Sequence, residues 1–217
     1  MCIRDSIKRG CIMMSKYTFK ENDFKTFDID GLEPRMDAIK KNIRPQLNAL
    51  GDYFSDYLSN QYDQPYYPHV AKHLRRTVNP PNDTWVAFAT NNRGYKMLPH
   101  YQIGLFGSHL FIMYGVIYES EYKETCANKW LDMIDTFRAL PDNFVISKDH
   151  MKEEKLKISE LSDEELIKAI ERLKKVKKGE FLIGKKYLPN DEVFKSDEAF
   201  LKEVQFVFDT LDPFTIQ

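Results

Sequence analysis

DTWVAFATNNRGYKMLPHYQIGLFGSHLFIMYGVIYE, residues 83 to 119, decides the fold, because its apolar residues recur with a period of two and its runs break only briefly. The breaks fall at NNRGYK and at the pair Gly107 and Ser108. Runs rich in β-branched and aromatic residues between such breaks read as strands, here DTWVAFAT, LPHYQIGLF and HLFIMYGVIYE. Connections this short favour antiparallel pairing. The last run is apolar on both faces, which predicts a central strand covered by helices on at least one side.

Upstream, PYYPHVAKHLRR (65 to 76) reads as a further strand, separated from DTWVAFAT by the turn-forming NPPN. Before it the period changes. Met36, Ile39, Ile43, Leu47, Leu50, Phe54 and Leu58 recur at steps of three and four, the stripe of an amphipathic helix. Pro45 removes a backbone donor inside that stripe, so a kink, or two helices meeting at Arg44, is expected. Asp30 with Glu33 has the spacing of a capping box, and Phe19, Phe24 and Phe27 are expected to tie the N-terminal arm to the core.

Downstream, helix and strand alternate. Tyr122, Cys126, Trp130, Met133, Phe137 and Leu140 form an apolar helical stripe that Pro141 ends, and FVISKDH reads as a short strand. Ser162 with Glu165 opens the helix LIKAIERLKKVKK, Gly179 closes it, EFLIGKKYL is a strand, and Ser196 caps a last helix. The order predicts an α+β fold: a single compact domain with a central antiparallel or mixed sheet flanked by helices, over residues 14 to 217. Residues 1 to 13, MCIRDSIKRGCIM, show no periodicity, and Met13 or Met14 offers a second possible start. Their start resembles translated adapter read-through, so a disordered, non-native extension is expected there.

Charge excludes some function classes. With 32 basic and 33 acidic side chains, bulk charge gives no case for a nucleic-acid or membrane-surface protein. The longest apolar run, LFIMYGVIY, has nine residues, about half of what spans a bilayer as a helix. No secretory signal is read, and Cys2, Cys11 and Cys126 have neither metal-ligand spacing nor a disulfide pattern, so a cytoplasmic setting is expected. Nothing in the pattern specifies a cofactor or an oligomeric state.

Local charge is less even. Between His69 and Gln102, Lys72, Arg75, Arg76, Arg93 and Lys96 face only Asp83, a net of +4 in a chain of formal charge −1. Arginine forks and the backbone donors of a Gly-containing loop are what phosphate or carboxylate recognition needs. His69, His73, Arg75, Arg93, Lys96 and His100 are therefore the candidate ligand-binding residues. His73 or His100 as general base and Glu119 as acid are the candidate catalytic groups. In strand geometry His69, His73 and Arg75 share one face while Lys72 and Arg76 take the other. The bland alternative is the wet face of a sheet.

Other motifs carry less. His69 and His73 have the spacing of a helical zinc pair, but on a strand their Cα atoms would stand about 13 Å apart, so no metal site is expected. Trp85, Phe88, Tyr95 and Tyr101 interleave with the cations as base-stacking platforms would, yet aromatics in strands ordinarily serve packing. Ser108 lacks the second glycine of a nucleophile elbow, Cys126 sits on an apolar stripe, and Asp149 and His150 would face opposite sides of a strand. LKKVKKGE reads as lysines compensating a helix C-terminus. There is neither GxxxxGK[ST] nor GxGxxG.

FKTFDIDGLEPRM (24 to 36), residues 69 to 106, VIYES (116 to 120) and VKKGEF (176 to 181) together resemble a bacterial family of uncharacterised proteins typified by YktB. The resemblance runs from about Lys16 to the C-terminus and implies a compact α+β fold. It implies no activity, substrate or cofactor. The leading functional expectation is thus a binding or regulatory protein for an anionic ligand, phosphorylated ligands included. The alternatives are an enzyme at the same surface and a protein-interaction module with no small ligand.

Overall fold

The computed structural model describes residues 16–216, so the expectation for residues 1 to 13, with Cys2 and Cys11, lies outside the described residues. Seven strands form one sheet: β1 (Tyr67–Val70), β2 (Asp83–Ala89), β3 (His100–Phe106), β4 (Leu110–Val116), β5 (Val145–Ser147), β6 (Leu156–Lys157) and β7 (Phe181–Tyr187). Their spatial order is β1-β2-β3-β4-β7-β5-β6, and every pairing is antiparallel. The first four strands are the meander expected from the short breaks. β7 then returns beside β4, and the β5–β6 hairpin pairs outside it. The fold is α+β with an antiparallel sheet.

Helices cover one face. α1 (Glu21–Phe24) and α2 (Leu32–Ala38) lead through a π-helical turn, Ile39–Ile43, into α3 (Arg44–Tyr62), which starts where Pro45 requires a fresh first turn. α4 (Lys123–Leu131), α5 (Ile134–Arg138), α6 (Asp163–Lys175) and α7 (Asp197–Leu211) follow. Leu47, Leu50, Phe54 and Leu58 of α3 and Phe200, Val204 and Phe208 of α7 are fully buried with Val86, Phe88, Ile103 and Ile112 of the sheet. Phe19, Phe24 and Phe27 join that core. Ser162 and Glu165 make the expected capping box, and the Ser196 hydroxyl accepts from the Ala199 N–H.

Among the described residues the other sheet face carries no helix, and it holds a smaller apolar cluster, Phe106, Phe111, Met113, Ile117, Val145 and Leu182, against which Trp85 and Tyr95 pack. Gly104 makes that packing feasible, because a Cβ there would meet the Phe111 ring and lie 2.6 Å from the Trp85 Cβ.

Four local expectations are corrected. β1 stops at Val70, and residues 71 to 82 form a loop in which His73 takes the left-handed conformation, φ 55°. The strand alternation that grouped His69, His73 and Arg75 therefore does not apply. The strand expected over FVISKDH ends at Ser147, leaving Asp149 and His150 in a loop. The stripe from Tyr122 to Leu140 is divided into α4 and α5, and α2 starts from Gly31 without a side-chain cap, so Asp30 and Glu33 form no capping box.

Candidate functional site

The NPPN turn is held by α2. Arg35 donates through Nε to the Ile29 carbonyl at 2.8 Å and through Nη1 to the Pro81 carbonyl at 3.0 Å, which fixes the start of β2. The strand then places Asp83, Trp85 and Ala87 on the helix-free face.

Trp85 and Tyr95 are the hub for the three histidines of the expected site. The indole N–H donates to the Tyr95 hydroxyl at 2.9 Å. The His69 ring centroid lies 5.6 Å from that of Tyr95, His100 lies 4.8 Å from Tyr95, and His73 lies 5.6 Å from Trp85. His69 contacts the Asn91 carbonyl through Nε2 at 2.9 Å, and His73 contacts the Thr84 hydroxyl at 3.2 Å. The cations separate from them. Lys96 pairs with Glu119 at 3.0 Å, while Arg75 and Arg93 are exposed on the β1–β2 and β2–β3 loops.

His100 is fully buried, 0% exposed. Its Nδ1–H donates to the Leu98 carbonyl at 2.7 Å, which leaves Nε2 as the lone pair that accepts from the Gln102 amide at 2.6 Å. Both ring nitrogens are thus engaged, and burial pulls the imidazole down to about 4, so it is neutral at pH 7. Burial also brings His73 to about 4. Glu119 keeps one oxygen on Lys96, and its other oxygen is buried without a partner among the described residues.

A second group, further into the same face, escaped the sequence reading. Glu180 stands just before β7 and is 3% exposed; its carboxylate accepts the His150 Nδ1–H at 2.9 and 3.0 Å, the His150 backbone N–H at 2.7 Å and the Tyr118 N–H at 3.3 Å. Burial alone would lower the His150 pKa, but the hydrogen bond and charge of Glu180, with Asp83 and Asp149 beyond, raise it above the ordinary value. Asp83, at the first position of β2 and 2% exposed, is pushed by burial up to about 6, against the charges of His150, Arg76 and Lys155. Burial draws Lys155 down to about 8, with Asp83 opposing.

Gln102, Ser147, His150 and Lys155 line one narrow cleft whose remaining walls are Phe106, Phe111, Met113 and Leu182. None of the six expected ligand residues lines it, although Gln102 bonds His100 directly. The arrangement offers a polar wall with an ammonium and an imidazole facing an apolar floor. The available signal was an ionisable residue at the mouth of an apolar strand, Asp83 before TWVAFA and Glu180 before FLIG. What the chain order hid is that β7 lies between β4 and β5, which brings positions 180 and 150 together.

Beside the cleft, Ser108 in the β3–β4 turn donates to Glu153 at 2.5 Å and its oxygen lies 2.8 Å from His109 Nδ1. The serine stands between acid and imidazole, so this is not the order in which a histidine relays a proton from a nucleophile. Cys126 is buried, and burial pushes its thiol up to about 12. Among the described residues no helix is long and apolar enough to cross a membrane.

Comparison with known proteins matches residues 19–215 to the family described as "Domain of unknown function (DUF1054)". A UPF0637 protein of Staphylococcus saprophyticus is 53% identical over 198 residues, covering 91% of this chain and 98% of that protein. UPF0637 proteins of Staphylococcus haemolyticus (54% over 196 residues, 90% and 97% covered) and Macrococcus caseolyticus (52% over 203 residues, 94% and 100%) are similar in the same way. Near-full coverage at this identity extends over every strand and over both residue groups of the helix-free face, and the chain belongs to the DUF1054/UPF0637 family of uncharacterised bacterial proteins.

Proposed function

We propose that the helix-free face of the sheet binds a small anion, with its charged group against His150 and Lys155 at the narrow cleft walled by Phe106, Phe111, Met113 and Leu182. One observation carries the reading: Lys155 and His150 line the same apolar-walled cleft, whose open volume of about 10 Å³ admits only a small group. With Nδ1 engaged by Glu180, Nε2 is the His150 nitrogen left for a ligand. A carboxylate or phosphate accepts from both groups, and charge-assisted bonds in a dry cleft are stronger than neutral ones. His69, His73 and His100 shape the neighbouring wall through Trp85 and Tyr95, Lys96 sits at its edge, and Arg75 and Arg93 on the bordering loops add attraction at longer range. The proposed setting is the cytoplasm, where a free thiol such as Cys126 stays reduced.

Catalysis beside this cleft is the second reading, favoured by Lys155 in its wall and by the neighbouring Asp83, whose proton affinities burial has moved to about 8 and about 6. They make better acid and base candidates than His100, which is hydrogen-bonded at both nitrogens.

A thermal-shift screen against carboxylates, phosphate esters and uncharged analogues tests the binding reading, since a ligand at a hundred times its dissociation constant adds about 2.7 kcal/mol. The expected result is a shift from one anionic class that weakens about tenfold or more in Lys155→Met. A shift from uncharged analogues alone, or one indifferent to Lys155→Met, would overturn it.

A further inference from the structure

We infer that Asp149, His150 and Glu180 form a binding site for one first-row divalent cation, of the Zn2+ or Mn2+ class. One ligand atom from each, the imidazole nitrogen and two carboxylate oxygens, lies within 4.8 Å of the others. Metal bonds of about 2.0 to 2.2 Å to such donors set ligand atoms roughly 3 to 4.4 Å apart, so small side-chain movements close the set. The donors come from two places that the strand order joins: the loop after β5 and the residue that enters β7.

The carboxylates are already oriented. Glu180 is held by the backbone N–H groups of His150 and Tyr118, and Asp149 Oδ1 accepts from the Met151 N–H at 3.0 Å. Such outer bonds fix ligand direction before the cation arrives. Asp83 is an observation independent of that cluster. Its carboxylate is 2% exposed, makes no hydrogen bond to another residue's side chain among the described residues, and lies near enough for its charge to act on His150. It bonds its own backbone N–H and answers the charges of His150, Arg76 and Lys155, so it adds a buried negative charge beside the cluster whose field favours a cation there.

On binding, the cation takes the place of the proton between His150 Nδ1 and Glu180, and that proton leaves to solvent. His150 Nε2–H then remains a donor to the cleft. Lys152, 3.9 Å from Asp149 and exposed, swings away. One imidazole with two carboxylates is a mixed donor set that suits Zn2+ and Mn2+ and leaves positions open. The sequence reading expected no metal site, on the spacing of His69 with His73 and of the cysteines, and none of those residues takes part.

The inference stands apart from the anion reading and is tested with metal alone. The metal-stripped full-length chain is titrated calorimetrically with manganese chloride and with zinc chloride. One saturable site per chain is expected, weakened about tenfold or more in Asp149→Asn and in Glu180→Gln. Asp149 is partly exposed, so its variant keeps the test valid if Glu180→Gln melts early. No saturable binding at millimolar metal, or equal affinity in Asp149→Asn, would overturn it. An anion that binds the stripped protein and is weakened by Lys155→Met leaves the anion reading standing in either case.

Discussion

Glu180 grips residue 150 twice, at the ring through Nδ1–H and at the main chain through N–H, so one buried carboxylate sets both the imidazole and the loop that carries it. Removing one member of a buried pair leaves the other uncompensated. Glu180→Ala is expected to cost about 3 kcal/mol in urea unfolding, whereas removing an exposed pair such as Lys168 with Glu164 changes little. Equal effects would mean that Glu180 is not structurally engaged.

Acid should weaken the fold before most carboxylates titrate. His73, His100 and His109 fall from 6.5 to about 4 on folding, chiefly through burial, so between those values the unfolded chain takes protons that the native one refuses. Stability is complete above pH 6.5 and is lost as pH falls to 4, by about 1.4 kcal/mol per pH unit for each histidine. Asp83 works the other way. Its folded value of about 6 exceeds the ordinary 3.8, so below pH 6 the native state gains protons and offsets roughly one histidine. Urea unfolding at pH 7, 6 and 5 should show the decline, shallower in His100→Gln and steeper in Asp83→Asn; a flat profile contradicts it.

Cys126 should be chemically inert while the protein is folded, because the thiolate is the reactive form and burial holds the thiol at about 12. Alkylation followed by peptide mass spectrometry should leave the Cys126 peptide unmodified in buffer and label it in urea. Labelling at equal rates would mean that α4 opens freely.

Gly104→Ala should cost about 1 to 3 kcal/mol, since the added methyl drives into Trp85 and Phe111 in a packed cluster. Chemical unfolding measures the loss. A neutral substitution would mean that the two rings move apart easily.

The sheet was legible where local pattern settles it. The breaks at NNRGYK and Gly107–Ser108 fixed three strands and their antiparallel sense, and Pro45 located the start of α3. Local pattern misled at HVAKHLRR, where an apparent alternation continues although the chain leaves the sheet at Val70 and turns at His73. β6, two residues long, is below what periodicity detects. The site was only half legible. The histidines were visible as residues, and their convergence on Trp85 and Tyr95 followed from the meander. The pairing of His150 with Glu180 depends on which strand lies between which, and no local signal encodes that.

The most direct test of the account is a nuclear magnetic resonance titration of the protein, methyl-labelled at methionine and leucine, with the anion that shifts its melting most. Shifts concentrated at Met113 and Leu182, with a response of the His150 ring, are the predicted result. Perturbations confined to Leu74 and Met97, in the loops that carry Arg75 and Arg93, would contradict the cleft and move the site to the exposed cations.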